Sequence, residues 1–275
     1  MLGNSREETP KPLGFVSRYS LTGVFILLGL LIFLFIVLPL VKMVFLSDKT
    51  AMWQALTDPT TMQAISLTIY AALIASAVGF IFGVPLAYLL ARHRFPGKSI
   101  IEGFIDLPIV VPHTAAGIAL LFVFGRNYLL GKWFGTIGVE FVDSLAGIVI
   151  AMTFVSVPFL INAARDGFQK VDTRLEKAAR TMGASPWQAF LHVTLPLSWK
   201  SILAGNLMMW ARGMSEFGAV VIIAYHPMIA PVLVYERFES YGLTAAIPVA
   251  AILVIICAVI FVGVRTLLGM RKNNA

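Results

Sequence analysis

The sequence predicts an all-α membrane protein with six transmembrane helices. Three observations lead to this class: an apolar composition, six long apolar stretches, and an uneven distribution of basic residues between the segments that connect them. Of the 275 residues, 59% are hydrophobic and 13% are charged, so a water-soluble fold would have to expose much of this apolar material. The net charge of +7 comes from residues that flank the apolar stretches, which argues against nucleic-acid binding.

The six apolar stretches are each about long enough to cross a bilayer. The first is longer than the core of a signal peptide and no small-residue cleavage site ends it, so we expect an uncleaved span. The predicted spans are residues 19–40, 65–91, 105–124, 145–164, 202–225 and 243–264.

The basic residues predict which side of the membrane each connection occupies. The two termini and the connections after the second and fourth spans carry 15 Lys and Arg residues, and the remaining connections carry five. The positive-inside rule therefore places both termini in the cytoplasm of a multi-pass protein embedded in the lipid of the cell membrane. We expect a cytoplasmic tail over residues 1–18, a transmembrane domain over 19–265, and a second cytoplasmic tail over 266–275.

Residues 171–196 form the longest polar interruption, and their first half predicts a short helix. Thr173 and Glu176 have the spacing of a capping box, and Gly183 is a left-handed helix stop. One apolar face at helical spacing contains Leu175, Ala178, Ala179 and Met182. This segment is either a simple connector or a docking surface on the cytoplasmic side.

The second half of the interruption predicts another short helix. Ser185 is its N-cap, Pro186 occupies the first helical position, and Gln188 completes a capping box. Pro196 is expected to close the segment.

The run LEKAARTMGASPWQAFLHVTLP within this segment resembles the EAA signature of ABC-transporter permeases. Lys177 takes the place of the usual Glu, with Glu176 one position earlier, and Gly183 takes the place of the signature glycine. Val193, Leu195 and Pro196 occupy the I-x-L-P places, with Val for Ile. The resemblance implies a coupling helix, between the fourth and fifth spans, that sits in a cleft of an ATPase subunit. The residues implied in this coupling are Leu175, Glu176, Lys177, Ala178, Ala179, Arg180, Thr181, Met182, Gly183, Ala184, Ser185 and Pro186.

The third span contains a predicted backbone break. Pro108 and Pro112 interrupt the helical hydrogen bonds, and in hydrocarbon such a break survives only where it faces protein or water. His113 and Thr114 lie at this break. Two interpretations stay open: a bend stabilised by packing, or a polar lining of a substrate route.

The fifth span contains the clear intramembrane charges of the chain, Arg212 and Glu216. They are four residues apart and therefore lie on one helical face, where they can neutralise each other. The pair either fixes helix packing or, with Ser215, lends positive potential to an anion pathway. The residues predicted to line the pathway are Pro112, His113, Thr114, Arg212, Ser215 and Glu216.

The runs VPHTAAGIAL and SEFGAVV resemble permeases for tetrahedral oxyanions, and the resemblance, over about residues 20–265, is to the archaeal molybdate/tungstate branch. It implies a homodimer with two cytoplasmic ATPase subunits and an extracellular oxyanion-binding protein, working by alternating access. ATP and Mg would bind to the ATPase, so this chain is expected to be a non-enzymatic subunit without a cofactor or metal of its own. The alternatives are a sulfate/thiosulfate permease of the same class, or an ion-coupled secondary carrier in which Arg212 and Glu216 relay an ion.

Motifs for ATP binding and for catalysis are missing from the sequence. The letters GKS at residues 97–99 do not form a phosphate-binding loop, because the required upstream glycine position is Arg92. The chain has no HExxH or GxSxG motif, and its four histidines lie in separate segments. A membrane-embedded enzyme is therefore disfavoured.

Overall fold

A computed structural model describes the backbone of residues 15–273 and the side chains of residues 21–263 and Thr266, and all regular elements in this range are helical. The predicted tails fall partly outside it: residues 1–14, 274 and 275 lie outside the described residues. The chain forms two compact units, Met1–Asp48 and Lys49–Ala275.

The first unit contains one long helix, α1, over Phe15–Leu46. No residue of its apolar stretch Leu21–Leu46 is buried. This helix includes the predicted first span and extends it by six residues at the C-terminal end.

The second unit contains twelve α-helices within the described residues. They are α2 (Lys49–Thr57), α3 (Pro59–Arg92), α4 (Lys98–Val110), α5 (His113–Phe124), α6 (Leu129–Gly135), α7 (Leu145–Lys170), α8 (Thr173–Thr181), α9 (Pro186–Ala189), α10 (Leu195–Met214), α11 (Gly218–Ile223), α12 (Ala230–Tyr241) and α13 (Leu243–Asn273). A π-helical turn, Phe190–Thr194, joins α9 to α10.

Helices α3, α7 and α10 pack together as the core of the second unit. Small residues allow this packing, because a Cβ atom at Gly205 of α10 would lie 2.6 Å from the Cβ atom of Ala163 on α7. Phe168 and Ile202 are buried in the same cluster. Close approach of helix backbones through small residues is typical of helix packing in membranes.

Four helical segments of the described chain are long and apolar enough to cross a membrane: Leu21–Leu46, Pro59–Arg92, Leu145–Lys170 and Leu243–Gly263. They coincide with four of the six predicted spans. The last of them belongs to α13, which continues as a helix to Asn273 and so covers most of the predicted C-terminal tail.

The predicted third span consists of two helices, α4 and α5, bent by 116° relative to each other. The prediction of a break is confirmed at Pro112, before which Val111 has the extended backbone that a following proline favours. The predicted break at Pro108 is wrong, because α4 continues through this residue to Val110.

The predicted fifth span, residues 202–225, is not one continuous helix. Helix α10 ends at Met214 and α11 begins at Gly218. The Glu216 side chain explains part of this break, since its Oε1 atom accepts a hydrogen bond of 2.9 Å from the backbone N–H of Ala219 and thereby caps α11. The total of six spans stays a prediction.

Candidate coupling surface and buried ion pair

The first half of the 171–196 segment begins with a different cap from the predicted one. Asp172 is the N-cap of α8, and its carboxylate accepts a hydrogen bond of 2.9 Å from the backbone N–H of Arg174. The predicted capping box of Thr173 and Glu176 is wrong, because the Glu176 carboxylate is bound by residues far away in the sequence.

The predicted left-handed stop at Gly183 is confirmed, with φ of 93°. The N–H of Gly183 donates to the carbonyl of Arg180 at 3.0 Å, and the N–H of Ala184 donates to the carbonyl of Ala179 at 3.1 Å. These two bonds form a Schellman motif, which satisfies the carbonyls that the end of α8 would otherwise leave free.

The predicted second capping box is also confirmed. The Ser185 hydroxyl accepts from the N–H of Gln188 at 3.2 Å, and the Gln188 side chain accepts from the N–H of Ser185 at 2.8 Å. Pro186 occupies the first turn of α9, as predicted.

Pro196 does not close the segment, contrary to the prediction. The chain continues from α9 through the π-helical turn into α10, and Pro196 lies in the first turn of α10. A proline has no N–H to donate and crowds the preceding turn. The wider π-helical turn, in which the N–H of Leu195 donates to the carbonyl of Phe190, accommodates it without a break.

The apolar face of α8 points away from the second unit. Ala179 is buried, but Leu175 is exposed and Met182 is 83% exposed. Trp187 of α9, for which no role was predicted, is also exposed. We call Leu175, Met182 and Trp187 the coupling surface. The other residues of the predicted coupling set from Lys177 to Pro186 are exposed, apart from the buried Ala179 and the half-buried Ala184.

The Glu176 carboxylate binds α8 to two core helices. Arg92, the last residue of α3, approaches its Oε1 atom with Nη2 at 2.6 Å and with Nε at 2.9 Å. The Thr194 hydroxyl, in the π-helical turn before α10, donates to the same oxygen at 2.7 Å. Neither Arg92 nor Thr194 was predicted, because both partners are distant in sequence from Glu176.

The second candidate site lies where the two broken segments meet. His113 begins α5, Arg212 lies in the last turn of α10, and Glu216 lies in the break that follows. A Cβ atom at Gly218 would lie 2.7 Å from the Cβ atom of His113 and 3.3 Å from the backbone nitrogen of Thr114. Glycine at this position therefore allows α11 to approach the start of α5.

The predicted ion pair is confirmed. Arg212 Nη2 lies 2.8 Å from Glu216 Oε2, and the Glu216 side chain is 1% exposed. The same Nη2 atom lies 2.7 Å from His113 Nε2. Because a guanidinium has only donors, Nε2 accepts, and His113 Nδ1 then faces Glu216 Oε2 at 3.7 Å.

Of the six predicted pathway residues, four are in polar contact: His113, Arg212, Ser215 and Glu216. Arg212 Nη1 donates to the Ser215 hydroxyl at 3.3 Å. Pro112 and Thr114 flank His113 and are exposed. The positive charge of Arg212 is balanced by Glu216, while its side chain keeps 23% exposure. The cluster can therefore both hold the broken segments together and offer N–H donors to an anion.

Comparisons with known proteins agree with this architecture. Residues 83–270 match the family described as "Binding-protein-dependent transport system inner membrane component". The molybdate/tungstate transport system permease protein of Thermococcus kodakarensis is 45% identical over 252 residues, which cover 90% of this chain and 96% of that protein. The probable sulfate transport system permease protein of Mesostigma viride is 33% identical over 254 residues, covering 90% and 94%.

A solved structure shares the fold. It is the crystal structure of a bacterial ABC transporter involved in the import of alginate, with a TM-score of 0.72 and 16% identity, covering 93% of this chain and 97% of that one. The family match and the extent of the similarity lead to one conclusion: the chain belongs to the family of inner membrane components of binding-protein-dependent transport systems, the permease subunits of ABC importers.

Proposed function

We propose that this chain is the permease subunit of an ATP-driven importer for molybdate and tungstate. The observation that carries the proposal is the coupling surface: an exposed apolar face on a polar segment that two capping motifs and the Glu176 contacts hold in one conformation. Exposed apolar side chains on a fixed element are typical of a protein-binding surface. Identity of 45% to a molybdate/tungstate permease over most of both chains supports the substrate.

The working unit in this proposal is a homodimer with two ATPase subunits and an extracellular binding protein that delivers the oxyanion. The ATPases bind ATP and Mg, and each receives one coupling segment, residues 175–186, on the cytoplasmic side. Nucleotide binding and the loaded binding protein each favour one of two conformations, so the dimer alternates between access from inside and from outside. No covalent chemistry falls to this chain.

The pathway in this proposal passes the polar cluster. Pro112 and Thr114 flank His113 at the break between α4 and α5. The partly exposed Arg212 guanidinium, which contacts His113 and Ser215, offers N–H donors to a passing oxyanion. Glu216 neutralises Arg212, so the cluster binds a divalent anion weakly and can release it. Weak binding here agrees with selection of the substrate by the external binding protein.

The test is uptake into proteoliposomes that contain the permease with its ATPase, supplied with the binding protein. We expect ATP-dependent uptake of molybdate, inhibited by tungstate more strongly than by sulfate. Uptake driven by an ion gradient without ATP would instead indicate a secondary carrier. Stronger competition by sulfate would favour the second candidate, a sulfate permease, which the similarity to the Mesostigma viride protein supports.

Two matched variants test the coupling surface. Met182 and Leu129 are each 83% exposed, but Met182 lies in the coupling surface and Leu129 lies in α6. Met182→Asp is expected to weaken co-purification of the ATPase, and Leu129→Asp to leave it unchanged. Equal retention of the ATPase by both variants would contradict the assignment of this surface.

The role of Arg212 is tested separately. If Arg212→Gln keeps normal expression and normal uptake, the pathway role is lost. If the only effect of this change is that the protein is no longer expressed, the ion pair serves helix packing.

A further inference from the structure

We propose that Arg92 is a positioning residue for energy coupling: through Glu176 it fixes α8 to α3 and to the π-helical turn before α10. When the coupling surface moves, the core helices then move with it, and α8 does not shift relative to them. This inference rests on the proposed function, because it requires an ATPase that moves α8.

Apolar packing holds α8 only weakly. Of its nine residues, Ala179 alone is buried and Glu176 alone is half-buried, and the others are exposed. A short helix in water is not stable by itself and needs tertiary contacts. The polar contacts of Glu176 are therefore the main attachment of this helix to the rest of the second unit.

The attachment is compact and largely buried. The side chains of Arg92 and Glu176 are 8% and 15% exposed. Glu176 Oε1 accepts from Arg92 and from Thr194. Arg92 Nη2 also donates to the carbonyl of Val171 at 3.1 Å, at the start of the polar segment. One guanidinium thus binds the segment at two points, and a two-point contact restricts rotation as well as separation.

The contact of Glu176 with Thr194 lies at the N-terminal start of α10. Thr194 is the last residue of the π-helical turn and directly precedes α10, so the two form one continuous helical segment. From this turn α10 runs for 20 residues to Met214, about 30 Å at 1.5 Å per residue, and its last turn contains Arg212. A displacement of Glu176 is therefore applied at one end of α10, and the polar cluster lies at the other end.

The experiment measures ATP hydrolysed per oxyanion imported in proteoliposomes that contain the permease and its ATPase. Arg92→Met removes the charge but keeps an unbranched side chain, and Thr194→Val removes the hydroxyl that donates to Glu176. In variants that still co-purify with the ATPase, we expect this ratio to rise at least about tenfold for Arg92→Met, and less for Thr194→Val. Arg92→Lys should restore part of the coupling, because it keeps the charge but loses the two-point contact.

The matched control is Arg126→Met. Arg126 forms an ion pair with Glu140 at 3.3 Å, and both side chains are more than half exposed, so the ratio should stay at the wild-type value. A double variant, Arg92→Met with Glu176→Gln, should be no worse than the more impaired single variant, since both changes remove the same contact.

A wild-type ratio in Arg92→Met and Thr194→Val, with normal ATPase co-purification, would overturn the inference. If Arg92→Met does not fold, the ratio of ATP hydrolysed per oxyanion imported is compared in Thr194→Val and Arg92→Lys. A wild-type ratio in both variants would overturn the inference, and a raised ratio would support it. Failure of the wild-type protein to bind an ATPase or to import an oxyanion would overturn the proposed function, and this outcome is distinct from a failure confined to the variants.

Discussion

Gly183→Val perturbs the end of α8 through the backbone alone. Gly183 has φ of 93°, and no atom lies within 4 Å of the position that a Cβ atom would occupy. The Cβ atom of a valine therefore meets no steric clash, but the residue must adopt a left-handed backbone that β-branched residues avoid. The strain is about 2 to 3 kcal/mol, which corresponds to a factor of about 30 to 150 in an equilibrium constant.

The chain offers a matched control for this strain. Gly97, the N-cap of α4, has φ of 85° and equally open surroundings, but it lies outside the coupling segment. Gly97→Val should cost similar stability without affecting the ATPase. Gly183→Asn should be mild, because Asn tolerates the left-handed region.

The assay is the affinity of the detergent-solubilised permease for its ATPase, together with the melting temperature of each variant. We expect Gly183→Val to lose affinity by up to the factor given above, Gly183→Asn to lose little, and Gly97→Val to lose stability alone. Normal affinity in Gly183→Val, or an equal loss in Gly97→Val, would refute the claim that the Schellman turn orients the coupling surface.

Three further predictions concern stability, measured as the midpoint of unfolding in detergent. Gly147→Ala would bring a Cβ atom 1.8 Å from a backbone carbonyl oxygen and should cost about 1 to 3 kcal/mol, whereas Gly135→Ala, with no atom within 4 Å, should be nearly neutral. Arg212→Gln leaves the buried Glu216 charge uncompensated and should cost about 3 to 5 kcal/mol, and adding Glu216→Gln should recover part of this loss, so additive losses would contradict the ion pair. Burial raises the pKa of Asp58, but hydrogen bonds from nearby side chains and backbone outweigh it and hold the pKa below its ordinary value of 3.8. Asp58 therefore stabilises the folded state above that pH and loses the effect as the pH falls below about 4; Asp58→Asn should flatten this part of the stability profile, and an unchanged profile would refute the assignment.

Local features of the chain could be predicted because near neighbours in sequence decide them. The Ser185–Gln188 capping box and the left-handed Gly183 depend on a few consecutive residues. The Arg212–Glu216 pair was predicted from the spacing of one helical turn, and it forms although α10 ends at Met214 and Glu216 lies beyond that helix. The break at Pro112 follows from the chemistry of proline. The capping box at Thr173 failed because Asp172, one residue earlier, is the N-cap of α8, and because the Glu176 carboxylate binds Arg92 and Thr194 instead.

Long-range partners could not be predicted in this way. Arg92 and Glu176 are 84 residues apart, and His113 and Arg212 are 99 residues apart. An unpaired buried charge is expensive, so each of these groups is expected to have some polar partner. Composition does not say which partner, because that depends on how the helices pack against one another.

The sequence by itself therefore determined the apolar all-helical class, the left-handed stop at Gly183, the capping box at Ser185 and the resemblance to importer permeases, since these depend on side-chain chemistry and short spacings. Only the tertiary structure decided that Glu176 joins α8 to α3 and α10, that α10 ends at Met214, and that the two broken segments meet at His113. The physical reason is that helix packing brings together groups far apart in sequence, and each buried charge then takes the partner that this packing leaves within reach.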